Sequence, residues 1–317
     1  MNQLPPSEII WEIAAVHFLQ KETSHKVSNV LWPAEEDKWH YQIIGKWMQT
    51  TTFLLTLWEK KFALKLSNNE KMKWDTEIEL WLREKQWQNN PQIFSTGEGQ
   101  LPGISGKYFW NIQEYIPWTL WKESEINDAQ LDSFLSQLDS LHSIHQSETS
   151  GWGWLVNNKN GQEENFWNYI NIFKGKINKC DFFSHNRRRE RVMEKIEHLQ
   201  TRVWDMSHYK PVLIHNDAHT SNVILDSPTS VRLIDYGNPK WSCPEEELAV
   251  IQTHCIGSRM WLFKRILDWY KSKRPFDDNL FQLFALLNAC SKIRTRKKPE
   301  KQLLIWEQLV ETLLNSI

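Results

Sequence analysis

Residues 212–237 hold the pattern that most narrows what this chain can fold into. Val212-Leu213-Ile214 is a short apolar run, and His215-Asn216-Asp217-Ala218-His219-Thr220-Ser221-Asn222 is polar. Two further apolar runs follow, Val223-Ile224-Leu225 and Val231-Arg232-Leu233-Ile234, separated by Ser227-Pro228-Thr229-Ser230 and ending at Asp235-Tyr236-Gly237. Apolar runs of this length between turn residues read as strands, so the last two form a hairpin. Asn222 and Asp235 bracket that hairpin and are expected to come together, with Asp217 on the loop just before it.

Three such side chains define a chemistry. Asn222 and Asp235 offer hard oxygen ligands of the kind Mg2+ takes alongside phosphate oxygens and water. Asp217 suits the group that receives a hydroxyl proton in phosphoryl transfer, a reaction run mostly by positioning and charge neutralisation. A Walker-type NTPase is disfavoured, because no G-x-x-x-x-G-K-S/T stretch occurs. His215 reads as a brace for the loop; His219 reads as a loop-packing residue that could also approach the metal side.

Composition sets the broader class. The 317 residues carry 38 Lys+Arg against 39 Asp+Glu, so no global field draws the chain to nucleic acid. Basic runs at 187–191 and 292–301 read as solvated faces. Four cysteines lie far apart with no C-x-x-C, the pattern of reduced thiols, and residues 1–7 lack the basic and apolar regions of a secretory signal. No apolar run is long enough to span a bilayer. A cytoplasmic protein without membrane or nucleic-acid partners is expected. The 19 tryptophans are either core material or, in part, aromatic faces for a cation.

Along the chain, residues 7–20 read as a helix. Residues 41–44, 52–57 and 61–66 read as strands, with Glu59-Lys60 turning the last two into a hairpin. A helix follows over 68–87, with Trp74, Ile78, Trp81 and Leu82 on one face, then strands at 92–95 and 108–114. Past Pro117 the pattern turns helical, over 127–145, 166–179, 188–206, 244–266, 277–292 and 299–314. Residues 151–161 read as a turn-rich loop. Strands first and helices after them make an α+β chain.

The motif H-N-D-A-H-T-S-N followed by I-D-Y-G resembles that of the aminoglycoside phosphotransferase/choline kinase family, with Ala218 and Ser221 departing mildly from its usual residues. The resemblance implies a bilobal protein-kinase-like fold: a small antiparallel β-sheet N-lobe over residues 1–113 and a mostly helical C-lobe over 114–317. It implies ATP as co-substrate, with GTP open, and Mg2+ held by Asn222 and Asp235. Lys65, in Phe62-Ala63-Leu64-Lys65, matches the phosphate-anchoring lysine. Its partner would be a glutamate on the next helix, Glu77 or Glu79, and the Trp74–Trp81 face favours Glu77. Glu114-Tyr115-Ile116-Pro117 matches the link whose backbone reads the adenine, near Glu114 and Ile116. Residues 45–51 take the place of the phosphate-covering loop with a single glycine. Asp217 is the expected catalytic base of an O-phosphotransferase acting on a small hydroxyl compound such as an antibiotic, a natural product or an amino alcohol. The alternative is a kinase-like protein that binds nucleotide without transferring phosphate. Glu245-Glu246-Glu247 either complement a helix N-terminus or, with tryptophan, bind a cationic acceptor.

Overall fold

The computed structural model describes residues 39–47, 50–57, 60–67, 69–85, 91–100, 107–117, 119, 121, 126–145, 151–155, 160–180, 186–203, 205–206, 209–255, 259–294 and 300–315. The helix expected over residues 7–20 lies outside them. The chain divides into two compact units. One comprises the chain up to Thr119 together with Ile234–Gly237; the other comprises Leu120–Leu233 and Asn238–Ile317.

The first unit is an antiparallel sheet of β1 (Trp39–Trp47), β2 (Thr50–Leu57), β3 (Lys60–Ser67), β4 (Ile93–Gln100) and β5 (Lys107–Glu114), ordered β1-β2-β3-β5-β4. Leu57 pairs with Lys60, so Lys60 belongs to β3 and not to the expected Glu59-Lys60 turn. Strand alternation places Phe53, Leu55, Phe62, Leu64, Leu66, Trp110 and Ile112 on one buried face. The opposite face carries Lys65 directly across from Asn111. Helix α1 (Lys71–Glu84) packs on that side, where the Asn111 amide donates to Thr76 Oγ1 at 2.9 Å.

The buried residues of α1 are Met72, Thr76, Ile78, Glu79 and Leu82. Trp74, expected on the packed face, is 42% exposed, and Trp81 is half-buried. The reason is the surface being covered. A helix lying over Lys65 and Asn111 must present polar groups, so Ile78 and Leu82 of the expected face are buried together with Thr76 and Glu79 while Trp74 is turned outward.

In the second unit, α2 (Asp128–Leu141) starts at a capping box in which Asn127 and Gln130 satisfy each other's backbone N–H groups. The expected hairpin forms from β9 (Val223–Ser227) and β10 (Ser230–Leu233). Strands β6 (Trp152–Leu155), β7 (Gly161–Glu163), β8 (Val212–Ile214) and β11 (Lys240–Ser242) make a sheet ordered β7-β6-β11-β8. Residues 151–161, expected to be a loop, thus contribute a strand. Gly151 and Gly153 take φ of 100° and 88°, which lets so short and glycine-rich a segment still pair.

Helices α3 (Phe166–Asn178), α4 (Asn186–Gln200), α5 (Pro244–His254), α6 (Met260–Lys273), α7 (Asp278–Arg294) and α8 (Glu300–Asn315) complete the unit. The single helix expected over 244–266 is therefore two, α5 and α6. Helix α7 buries Leu280, Leu283, Phe284, Ala285, Leu286, Leu287, Ala289 and Cys290 on all sides, the pattern of a central helix. All four cysteines are buried, and among the described residues no helix is long and apolar enough to cross a membrane.

The open edge of β10 is closed by side chains of α2. Gln137 accepts from Leu233 N–H at 2.9 Å and donates to Val231 O at 2.5 Å. Ser133 Oγ accepts from Val231 N–H, while Asn127 and Gln130 donate to Pro228 O. Polar residues one and two helical turns apart thereby complete the hydrogen bonding of the hairpin that carries the motif. Gln137→Leu would orphan the Leu233 N–H and leave Val231 O with only the longer Ser133 hydroxyl contact at 3.4 Å. The expected outcome is a loss of roughly 1–3 kcal/mol in urea unfolding, with an unchanged denaturant slope.

Candidate active site

The motif loop is built on one buried carboxylate. Glu247, on α5, accepts from His215 N–H at 2.5 Å and from Asn216 N–H at 3.1 and 3.2 Å. Asn216 sits at φ 64°, a left-handed conformation that asparagine tolerates and that lets successive N–H groups converge on one anion. His142 Nε2 approaches the same carboxylate at 3.8 Å, and its Nδ1 meets Tyr270 Oη at 3.0 Å. Burial pushes the Glu247 carboxyl up, but His142, His215 and the Asn216 N–H together outweigh that and hold it below its ordinary 4.5. His215 is itself buried, and its Nδ1 accepts from Asp217 N–H at 3.3 Å.

Asp217 is half-exposed at the end of this braced turn. Its Oδ2 accepts from Asn222 Nδ2 at 3.1 Å; its Oδ1 lies 3.5 Å from His219 Nε2 and 3.8 Å from His254 Nε2. Burial raises its pKa, and the His219 hydrogen bond with the nearby His219, His254 and His215 rings reverses the shift, leaving it below 3.8. The 3-10 turn Thr220–Asn222 then delivers Asn222 to the start of β9. Because the Asn222 amide nitrogen donates to both Asp217 O and Oδ2, its amide oxygen is turned to act as a ligand. That is the donor type Mg2+ takes.

Asp217, His219 and His254 bring possible metal-ligand atoms within 4.8 Å of one another. Their protons argue for another role. His219 Nδ1 accepts from Ser221 N–H, so the neutral ring carries its proton on Nε2, facing Asp217. Lys292 Nζ, which can only donate, lies 3.2 Å from His254 Nε2. The two stacked imidazoles, 4.4 Å apart, are a support for Asp217. Neither His254 nor Lys292 follows from the motif; both come from helices far along the chain.

In the first unit, Lys65 Nζ lies 3.9 Å from Glu79 Oε1. The glutamate beside Lys65 is therefore Glu79 and not the favoured Glu77. At 100° per residue, positions 77 and 79 sit on opposite sides of the helix. Glu77 instead lines a pocket of about 160 Å³ with Met72, Lys73, Leu80, Phe109 and Trp110. Burial raises the Glu79 pKa, partly offset by Lys65 and reinforced by Asp235 and Asp75. Asp235 is exposed at φ 67°. Glu114 N–H donates to Gln92 O at 2.7 Å and its carboxylate accepts from Gln92 N–H, so a base cannot be read through that N–H. Ile116 is half-buried two residues on. Of the expected phosphate-covering segment, Gly45 falls at a register shift in β1 and Thr50 to Thr52 lie in β2.

The three acids of α5 are all buried and all engaged. Glu245 Oε1 accepts from Asp277 N–H. Glu246 binds Lys240 Nζ at 2.8 Å, Tyr169 Oη at 2.7 Å and Ser242 Oγ. They serve the fold rather than a cationic ligand. Lys240 Nζ also lies 4.6 Å over the Trp154 ring, so that aromatic face is occupied by the protein's own cation.

Residues 40–279 match the model of the phosphotransferase enzyme family, APH, and the chain belongs to that family. No curated protein matches it significantly by sequence. Among solved structures it resembles a thermostable variant of aminoglycoside phosphotransferase APH(4)-Ia in ternary complex with AMP-PNP and hygromycin B. The identity is 14% over 95% of this chain and 98% of that one, with a TM-score of 0.67. It also resembles ADP-bound APH(2'')-Ib, at 16% identity over 98% and 97% of the chains with a TM-score of 0.55. The GDP complex of an aminoglycoside 2'-phosphotransferase-IIIa variant aligns at 14% identity over 95% and 96%, with a TM-score of 0.59. At such identities the likeness establishes the α+β, kinase-like fold.

Glu247 makes the brace testable by pH. Its carboxyl titrates lower in the folded chain than in the unfolded one, so its stabilisation is complete above the unfolded value of 4.5 and is lost as pH falls through the lower folded value. Glu247→Gln is expected to be less stable than the parent near neutral pH. The gap should narrow as pH drops below 4.5, as followed by urea unfolding across a pH series.

Proposed function

We propose that the protein transfers the γ-phosphoryl group of a nucleoside triphosphate to a hydroxyl of a small molecule. The observation carrying this is the state of Asp217. It is kept ionised and is held through both carboxylate oxygens, by Asn222 on one side and the His219–His254 stack on the other.

A depressed pKa makes Asp217 a weak base and a constant hydrogen-bond acceptor. Phosphoryl transfer through a loose transition state asks for the second property: the hydroxyl must be aimed, and its proton leaves late. Asn222 and Asp235 are the residues that would hold Mg2+, which would neutralise the phosphate oxygens. Lys65, oriented by Glu79, contacts the non-transferred phosphates, and the backbone near Glu114 and Ile116 reads the base through groups other than the Glu114 N–H. ATP is the donor supported by the AMP-PNP and ADP complexes of the structural relatives, and the GDP complex keeps GTP open.

The acceptor is an antibiotic, a natural product or an amino alcohol. The hygromycin B complex of a structural relative supports the first class. A cationic acceptor gains no support from Glu245, Glu246 and Glu247, which are committed inside the fold.

A coupled ADP-release screen over aminoglycosides, macrolides, choline, ethanolamine, thiamine and amino sugars is expected to return an acceptor. Asp217→Asn should then lower turnover by roughly 10²–10⁴-fold while nucleotide still binds. Asp235→Ala should remove Mg2+-dependent nucleotide binding in calorimetry. Full turnover in the first variant, or unchanged affinity in the second, contradicts the assignment. Nucleotide binding without ADP release for any acceptor would favour a silent binding protein.

A further inference from the structure

Helix α1 opens in a way that helix stability does not explain. Its first residue is Lys71, its first turn has no acid, and Lys71 pairs forward with Asp75. A cation at a helix N-terminus opposes the macrodipole, and lysine preceding its acid by four residues is the poorer order for such a pair. Sequences that break local rules in this way tend to do so at functional sites.

The structure supplies the reason. Lys71 Nζ donates to Asp75 Oδ1 at 2.7 Å, to Asp75 Oδ2 at 2.8 Å and to the Gly237 carbonyl at 2.6 Å. Gly237 is two residues after Asp235. A Cβ built on Gly237 would lie 3.1 Å from Asp75 Oδ2, 3.1 Å from Lys71 Nζ and 3.3 Å from Asp235 Oδ1. The glycine of I-D-Y-G therefore leaves room for the Lys71–Asp75 pair to close on the segment beside the Asp235 carboxylate. Lys71, Asp75 and Glu79 are spaced by four residues and form one stripe along α1. At one end the stripe grips the Asp235–Gly237 segment; at the other it meets Lys65.

We infer that Lys71 and Asp75 are positioning residues for Asp235, and that α1 sets the metal-binding carboxylate and the phosphate lysine from one rigid face. The inference rests on the metal role proposed above for Asp235. Neither residue touches the reacting groups. Asp75 orients the ammonium, Lys71 pins the carbonyl, and the pinned backbone holds Asp235 in its left-handed conformation.

The test uses the full chain with Lys71→Met, Lys71→Arg and Asp75→Asn. In metal-free protein, hydrogen exchange of peptides spanning 234–238 should be faster in Lys71→Met and Asp75→Asn than in the parent, and largely restored in Lys71→Arg. The Mg2+ concentration needed for half-maximal nucleotide binding should rise about 10–100-fold in Lys71→Met, the range for outer partners of metal ligands, with acceptor KM unchanged. Parent-like exchange in Lys71→Met overturns the inference. So does faster exchange with an unchanged Mg2+ requirement, because the clamp would then be purely structural. A parent chain that binds no nucleotide refutes the proposed function instead, and exchange alone then decides the clamp.

Discussion

The organisation of the larger unit depends on one buried carboxylate meeting two backbone N–H groups. Taking an ionised carboxyl out of water is expensive unless its lone pairs are filled. Glu247 fills them with the His215 and Asn216 N–H groups, using both of its oxygens as acceptors. The helix that carries it is thereby fastened to the loop that carries Asp217. Its neighbours repeat the device. Glu246 ties α5 to β11 and α3 through Lys240, Ser242 and Tyr169, and Glu245 ties it to the start of α7 through the Asp277 N–H. Three consecutive acids at a proline-led helix N-terminus would satisfy the macrodipole from the surface. Here all three point inward, and each is spent on a different neighbour.

The electrostatics of the two units then diverge for a physical reason. Asp217 and Glu247 are surrounded by imidazoles and N–H donors, so they stay charged despite burial. Asp75 and Glu79 lie near Asp235, and burial with like charge pushes both upward even beside lysines. The first arrangement keeps Asp217 a hydrogen-bond acceptor, as the role proposed for it toward a hydroxyl requires. The second concentrates negative charge around a carboxylate proposed to take a divalent cation, where each lysine is already matched to its own acid.

Much of the local structure around the candidate site was legible because its signals are local. The hairpin follows from two apolar runs and a Ser-Pro-Thr-Ser turn, and Lys65 falls on a central strand because alternating residues around it do. What escaped were features set by partners distant in sequence. Glu79 rather than Glu77 meets Lys65 because α1 covers a polar strip of sheet, so its packed face includes Thr76 and Glu79 while Trp74 is exposed. Residues 151–155 looked like a loop because glycine and tryptophan alternate there. The pairing that makes them a strand comes from Lys240 and Trp241, nearly ninety positions on. His254 and Lys292 carry no motif at all and reach the active loop only through the packing of α5 and α7.

The fate of the acids and tryptophans bears on how such a protein chooses an acceptor. An acidic cluster beside aromatic residues suggests a cation site, and the same composition is what a buried polar core needs when its helices are pinned by carboxylates. Lys240 decides between these. It sits against Glu246 at 2.8 Å with its ammonium over Trp154, so charge and aromatic face are both satisfied internally. Removing Lys240 would leave Glu246 buried with only hydroxyl partners, a far costlier state than the pair itself. That dependence binds β11, α3 and α5 into one block next to the Glu247 brace. These residues thus serve the rigidity of the loop bearing Asp217, and the charge and aromatic face that look like a cation site are used inside the fold.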